Sequence, residues 1–173
     1  TGDNKRAGQR QKHRDLPGQP FKHDRLGCDG KARLCPGTQR ARGIAMASPF
    51  GSEAAAIAEV SLDGGEVAVH QVWVAIDPGQ IVNPAIVEAQ VQSAVALGVS
   101  QTLVEELTYE DGEPTARNFD LYPILRPDQM PEVHVRIIES GAPMGGVGEP
   151  GLPAVGPAIV NAVATLTGER IRS

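Results

Sequence analysis

Aromatic residues are scarce in this sequence: they make up 3% of the 173 residues, although hydrophobic residues make up 40%. A chain of this length can form one domain with a sizeable core, which must then be built from Ala, Val, Ile and Leu. The sequence contains no apolar run of about 18 or more residues, so no transmembrane helix is predicted. No secretory signal peptide is recognisable either. The net charge of −5 does not favour nucleic-acid binding.

Charge is distributed unevenly along the chain. Residues 1–42 contain eleven Lys/Arg and four Asp, a net charge of +7, whereas residues 43–173 contain five Arg and seventeen acidic residues, a net charge of −12. Residues 1–41 also lack apolar periodicity, so we predict a basic segment of low order. We interpret it as disordered, or as an out-of-frame or junction segment; the alternative is a basic arm that binds nucleic acid or an acidic partner. Because the chain starts at Thr1, we expect it to be a piece of a longer protein.

Cysteine is also rare, and both cysteines lie in the basic segment. Cys28 and Cys35 have six residues between them, a spacing that fits no common zinc-binding pattern. His23 is nearby, but two further ligands would be needed. The sequence therefore predicts no metal ligand among the side chains, and a disulfide between the two cysteines stays open.

Residues 42–173 predict a mixed α/β (α+β) fold, because strand-like and helix-like segments follow one another. Asp63-Gly64-Gly65 is a hairpin signal between the first two strands. The second of these strands is apolar on both faces, so we expect it to be covered on both sides. Asn83 and Pro84 are favourable residues for a helix start. The predicted strands cover residues 54–62, 66–77, 107–115, where the strand runs into an Asp111-Gly112 turn, and 132–140. The predicted helices cover residues 84–107 and a final stretch from near Pro157 to a C-cap at Gly168.

The most unusual segment is "GGVGEPG", residues 145–151, which surrounds one carboxylate, Glu149, with glycine. It lacks the lysine of a phosphate-binding loop and does not fit the GxGxxG pattern, which excludes nucleotide binding by this loop alone. Each glycine costs up to about 1 kcal/mol of folding free energy relative to alanine, so the backbone must approach something bulky. A carboxylate at such a partly dehydrated site suits a general base. The alternative is a plain turn with Glu149 in water.

Two polar residues on the first predicted helix, Gln90 and Gln92, have two interpretations. Glutamines on a largely buried helix commonly occupy its solvent face. The alternative is a role beside a cofactor.

The segment "GGVGEPGLPAVGPAIVNAVATLTGERIRS" resembles the C-terminal end of the large, molybdenum-binding subunit of the xanthine oxidase/aldehyde oxidase family. The resemblance extends over residues 42–173 and is greatest to the bacterial branch that contains isoquinoline 1-oxidoreductase. It implies a C-terminal fragment of a molybdopterin-binding domain.

The resemblance also implies a function. The enzyme would be a molybdenum hydroxylase that oxidises an aldehyde or an N-heterocycle, with Glu149 as the general base. Gly146, Val147 and Gly148 would lie beside a molybdenum–molybdopterin cofactor, in its cytosine dinucleotide form. Iron–sulfur clusters would belong to a small [2Fe-2S] partner subunit, and the rest of the large subunit would complete the site. The competing interpretation is a non-catalytic binding or scaffold domain.

Overall fold

The computed structural model describes residues 39–172, which form a mixed α/β fold, as predicted. The predictions for Cys28, Cys35 and the basic segment up to residue 38 lie outside the described residues. The strands are β1 (Arg40–Ala47), β2 (Glu53–Asp63), β3 (Glu66–Asp77), β4 (Tyr109–Glu110), β5 (Glu113–Pro114) and β6 (Glu132–Ile137), and the helices are α1 (Pro84–Leu103) and α2 (Val155–Thr167), with 3₁₀ turns at Phe119–Leu121 and Pro127–Gln129.

Four strands form one sheet in the order β1-β2-β3-β6, and β4 and β5 form a separate two-stranded hairpin. β1, β2 and β3 are antiparallel neighbours, whereas β6 runs parallel to β3. The predicted hairpin between β2 and β3 is confirmed, since Gly64 and Gly65 both have positive φ. Parallel pairing of β3 with β6 requires a long crossover, which α1 and the irregular segment after it provide.

Both helices pack on one face of the sheet, and the core between them consists of small aliphatic side chains, as the composition predicted. Alternate residues of β2 and β3 face this core because side chains of a strand point to opposite sides in turn. The fully buried members include Ala56, Ala58 and Val60 of β2, Val72, Val74 and Ile76 of β3, Val91, Val95 and Val99 of α1, and Val155, Ala158, Ile159 and Ala162 of α2.

Several element boundaries differ from the predictions. β1 was missed because "RARGIAMA" shows no simple alternation; a Cβ at its Gly43 would lie 2.2 Å from the Ala158 carbonyl oxygen, so glycine permits contact with α2. α1 ends at Leu103 rather than at residue 107, and β6 ends at Ile137 rather than at residue 140. The turn predicted at Asp111-Gly112 is confirmed by the positive φ of both residues, and the strand predicted over 107–115 is divided by it into the short β4–β5 hairpin.

The opposite face of the sheet has no covering layer among residues 39–172, contrary to the expectation that both faces of β3 are covered. Trp73 lies in its centre, stacked on His134 with ring centroids 5.5 Å apart and with the Arg42 guanidinium 4.8 Å from its ring. Glu59 accepts hydrogen bonds from Arg40 and Arg42 at 2.7 and 2.9 Å. Burial raises the pKa of the Glu59 carboxyl, but the two arginines together lower it below its usual value.

Candidate functional site

The glycine loop that carries Glu149 is held by two other loops of the chain. One is the turn Pro49–Ser52 between β1 and β2, and the other follows β3 at Pro78. The Gly145 N–H donates to the Pro78 carbonyl at 2.9 Å, and the Gly146 N–H donates to the Phe50 carbonyl at 2.9 Å. Residues almost a hundred positions apart thus form one assembly at the end of the sheet.

Ser52 adds a side-chain bond to the same assembly. Its side chain is 1% exposed, and its Oγ donates a hydrogen bond to the Gly146 carbonyl at 2.6 Å. The neighbouring Phe50 is 66% exposed and has a φ of 57°, which a non-glycine residue rarely adopts. Neither Ser52 nor Phe50 was predicted to belong to the site. The letters "SPFGS" signal a turn through Pro and Gly, but nothing in them shows which loop the turn contacts.

The loop glycines are explained by close approach of this chain's own elements. A Cβ on Gly145 would lie 2.4 Å from Ser52 Oγ and 2.5 Å from the Gly51 carbonyl oxygen, and one on Gly146 would lie 3.0 Å from Phe50 Cβ. The bulky neighbour expected from the glycine content is therefore, at these two positions, the turn Pro49–Ser52. Neither glycine has a φ in the left-handed region, so contact rather than backbone conformation requires them.

The C-terminal half of the loop rests on α1. A Cβ on Gly151 would lie 3.3 Å from Ala94 Cβ, whereas one on Gly148 would meet only Gln90 Nε2, at 3.8 Å. Gln90 is exposed and lies in the second turn of α1. The predicted start of this helix is confirmed, since Asn83 Oδ1 accepts hydrogen bonds from the N–H groups of Ala85 and Ile86. The structure thus brings Gln90, one of the two glutamines considered above, next to the loop.

Glu149 is exposed, and its carbonyl oxygen accepts the N–H of Leu152 at 2.9 Å in the turn that leads to α2. The two central residues of this turn, Pro150 and Gly151, are buried and anchor it. The carboxylate is therefore presented at the surface from a fixed backbone. The described residues alone do not form the dehydrated environment that the sequence suggested.

The three residues predicted to lie beside the cofactor differ in what they present. Val147 is partly buried and its side chain packs against the core, while Gly146 is half-buried and Gly148 is exposed. Within residues 39–172, the N–H groups of Val147, Gly148 and Glu149 have no hydrogen-bond partner. These N–H groups and the Gln90 amide can donate hydrogen bonds to a ligand with acceptor atoms, whereas the neighbouring Glu149 carboxylate would repel an anionic group.

The loop after β3 is stabilised by Asp77, which closes this side of the assembly. Asp77 Oδ1 accepts the N–H of Gly79 at 3.0 Å and that of Ser140 at 3.5 Å. The hydrogen bond from Gly79 and those from Ser140 lower the pKa of the Asp77 carboxyl, against a smaller effect of burial. A charged Asp77 therefore links the end of β3 to Ser140, in the segment that leads to the glycine loop.

Among residues 39–172 no cluster of three or more His, Cys, Asp or Glu side chains could hold a metal ion. No helix in this part of the chain is both long enough and apolar enough to span a membrane. The glycine loop, with its backbone N–H groups and one carboxylate, is the part of the described chain in which the predicted site residues lie together.

Comparison with known proteins gives concordant results. The model of the molybdopterin cofactor-binding domain family matches residues 25–131, a segment that ends before the glycine loop. Isoquinoline 1-oxidoreductase subunit beta of Brevundimonas diminuta is 38% identical over 135 residues, which cover 77% of this chain and 17% of that protein.

Two solved structures share the fold. Quinoline 2-oxidoreductase from Pseudomonas putida 86 superposes with a TM-score of 0.61 at 28% identity, covering 65% of this chain and 15% of that one. Aldehyde oxidoreductase from Desulfovibrio gigas gives a TM-score of 0.62 at 25% identity, covering 69% and 14%. The chain thus spans 14–17% of the length of these relatives. As its resemblance to the xanthine oxidase family predicted, the chain belongs to the molybdopterin cofactor-binding domain family.

Proposed function

We propose that this chain is part of a molybdenum hydroxylase that oxidises an aldehyde or an N-heterocycle with oxygen derived from water. Membership of the molybdopterin-binding family supports the cofactor, and the names of the relatives, which act on isoquinoline, quinoline and aldehydes, support the substrate class. The observation that carries the proposal is the anchored glycine loop, which presents the Glu149 carboxylate beside backbone N–H groups that have no partner among residues 39–172.

Glu149 is the general base in this proposal. Its carboxylate accepts the proton of the water-derived hydroxyl as that oxygen attacks the electron-poor substrate carbon. When bound, the molybdenum cofactor supplies the two-electron redox chemistry that the oxidation needs. In this proposal the backbone of Val147 and Gly148 faces the cofactor, Gly146 supports that stretch through its bonds to the turn Pro49–Ser52, and Gln90 contributes an amide next to Gly148.

The remaining components come from outside this chain. The free N–H groups form one wall of a site, and the rest of the large subunit provides the other walls, because the chain spans 14–17% of its relatives. We propose the cytosine dinucleotide form of the cofactor and a small [2Fe-2S] subunit that removes the electrons. The isolated chain accordingly binds no cofactor and has no activity.

A non-catalytic binding or scaffold domain is the second candidate function. The observation that favours it is the exposure of Glu149, whose side chain makes no hydrogen bond within residues 39–172. In that case the glycines serve only to pack the loop against Ser52 and α1, and the carboxylate is a solvated turn residue.

Substitution of Glu149 in the complete enzyme tests the base. Glu149→Gln keeps the shape of the side chain but removes its basicity, so we expect kcat to fall by about 10²–10⁴-fold with unchanged molybdenum content. Glu139→Gln is the matched control, because Glu139 is also exposed but lies before the loop. Steady-state kinetics and metal analysis distinguish the outcomes. Turnover that survives Glu149→Gln would refute the assignment and favour the scaffold interpretation.

A further inference from the structure

We infer that Ser52 is a positioning residue, whose buried hydroxyl fixes the glycine loop and thereby the place of the Glu149 carboxylate. The inference rests on the proposed function of Glu149. Three polar residues are buried among residues 39–172: Ser52, Ser61 and Ser100. Ser61 bonds to His70, and Ser100 accepts the N–H of Leu125, so Ser52 is the member of this set that bonds to the glycine loop.

The turn Pro49–Ser52 holds Gly146 at both of its backbone polar groups. Ser52 Oγ donates to the Gly146 carbonyl at 2.6 Å, while the Gly146 N–H donates to the Phe50 carbonyl at 2.9 Å. The two bonds hold the peptide units on either side of the Gly146 Cα, one through its N–H and the other through its C=O, and so restrict movement of this residue. Loss of the hydroxyl would leave the Gly146 carbonyl without this donor, and we expect the carbonyl to reorient towards another donor.

The turn itself is well suited to act as a rigid support. The Ser52 N–H donates to the Pro49 carbonyl at 3.0 Å, which closes the turn. Phe50 keeps its unfavourable φ of 57° although it is not glycine. Such strain persists only where the surrounding contacts determine the conformation, and it concentrates at functional sites. Here those contacts are the ones made to Gly145 and Gly146.

A movement of Gly146 would shift the Glu149 carboxylate as well, because the two residues are close together in the same loop. Three Cα–Cα steps separate Gly146 from Glu149, a distance of at most about 11 Å along the chain. On the C-terminal side of Glu149 the loop is fixed by Pro150, which is buried, and by Gly151, which packs against α1. The segment that carries Glu149 is therefore short and anchored at both ends, and the Ser52 bond belongs to its N-terminal anchor.

The test uses the complete enzyme with Ser52→Ala and Ser100→Ala. The two variants lose the same atom from equally buried serines, but the Ser100 bond to Leu125 lies away from the glycine loop. We expect Ser52→Ala to lower kcat at least about tenfold, because small misplacements of a catalytic group are costly. KM and molybdenum content should stay within about twofold of the parent enzyme, since base positioning affects turnover rather than binding.

Amide hydrogen exchange provides a readout independent of turnover. In Ser52→Ala, peptides covering residues 141–151 should exchange faster than in the parent, and the acidic limb of the pH dependence of kcat/KM should move. Ser100→Ala should change neither. If Ser52→Ala leaves exchange and kcat unchanged, or lowers kcat no more than Ser100→Ala does, the positioning role is wrong.

Glu149→Gln measured in parallel separates the two proposals. If it abolishes turnover while Ser52→Ala behaves like the parent, the base assignment stands and the Ser52 inference fails. If Glu149→Gln keeps turnover, the proposed function fails, whereas faster exchange in Ser52→Ala would still show that Ser52 holds the loop but not that it positions a base.

Discussion

Substitution of Gly145 by alanine is the most direct test of how the glycine loop is held. The added Cβ would lie 2.4 Å from Ser52 Oγ, and 2.5 and 2.7 Å from the Gly51 carbonyl oxygen and carbon. Rotation of the serine side chain can relieve the first contact, but the other two involve backbone. Either the loop or the turn Pro49–Ser52 must therefore move.

The expected cost follows from these contacts. Overpacking of this kind costs about 1–3 kcal/mol, and replacing glycine by alanine returns about 0.4–1 kcal/mol through the entropy of the unfolded chain. We expect the free energy of unfolding to fall by about 1–2 kcal/mol. If the loop instead moves away, the bonds from Gly145 to Pro78 and from Ser52 to Gly146 are lost, at about 0.5–1.5 kcal/mol each.

Gly148→Ala in the same loop is the matched control. Its Cβ would meet only Gln90 Nε2, at an ordinary contact distance of 3.8 Å, and Gly148 does not have positive φ. We expect it to be neutral or to stabilise by up to about 1 kcal/mol. Urea denaturation of the purified 173-residue chain measures both variants. Equal midpoints for Gly145→Ala and Gly148→Ala would refute the close contact between the loop and the turn.

Two further predictions concern the pH dependence of stability and the cofactor. Burial raises the pKa of the Glu59 carboxyl, but Arg40 and Arg42 lower it to below its usual value. The ionised Glu59 therefore stabilises the fold fully above its unfolded-state pKa, and this stabilisation is lost as the pH falls through the folded-state pKa. Urea denaturation should show Glu59→Gln to be less stable by about 1–3 kcal/mol at pH 7, with the difference shrinking below about pH 4; a difference independent of pH would contradict this. The isolated chain, expressed in a host that makes molybdopterin, should contain no molybdenum by elemental analysis, and a stoichiometric amount would overturn the proposal that other parts of the subunit are needed to hold the cofactor.

Local rules predicted those parts of the fold that local residues decide. The hairpin at Gly64 and Gly65 and the helix start at Asn83 follow from turn and capping chemistry, which acts over two to four residues. The left-handed C-cap at Gly168 was recognised for the same reason. The predictions failed where tertiary contacts decide, as in β1, whose Gly43 is explained only by the backbone of α2 lying against it.

The candidate site divides in the same way. Glu149 and its glycines were visible in the sequence because a lone carboxylate in a glycine-rich loop is locally unusual. Ser52 and Phe50 were not, since their significance lies in hydrogen bonds to a loop 94 residues further along the chain. The placement of Gln90 beside Gly148 likewise depends on how α1 lies against that loop.

The sequence by itself determined the aliphatic core, the mixed α/β class, the hairpin and the family, because composition, periodicity and motifs are properties of the chain alone. Only the tertiary structure explains the glycine at position 145: the backbone of the turn Pro49–Ser52 lies so close to Gly145 that no room is left for a methyl group. A close contact between distant segments leaves no pattern in either one, so only the folded chain shows that the support for Glu149 begins at Ser52.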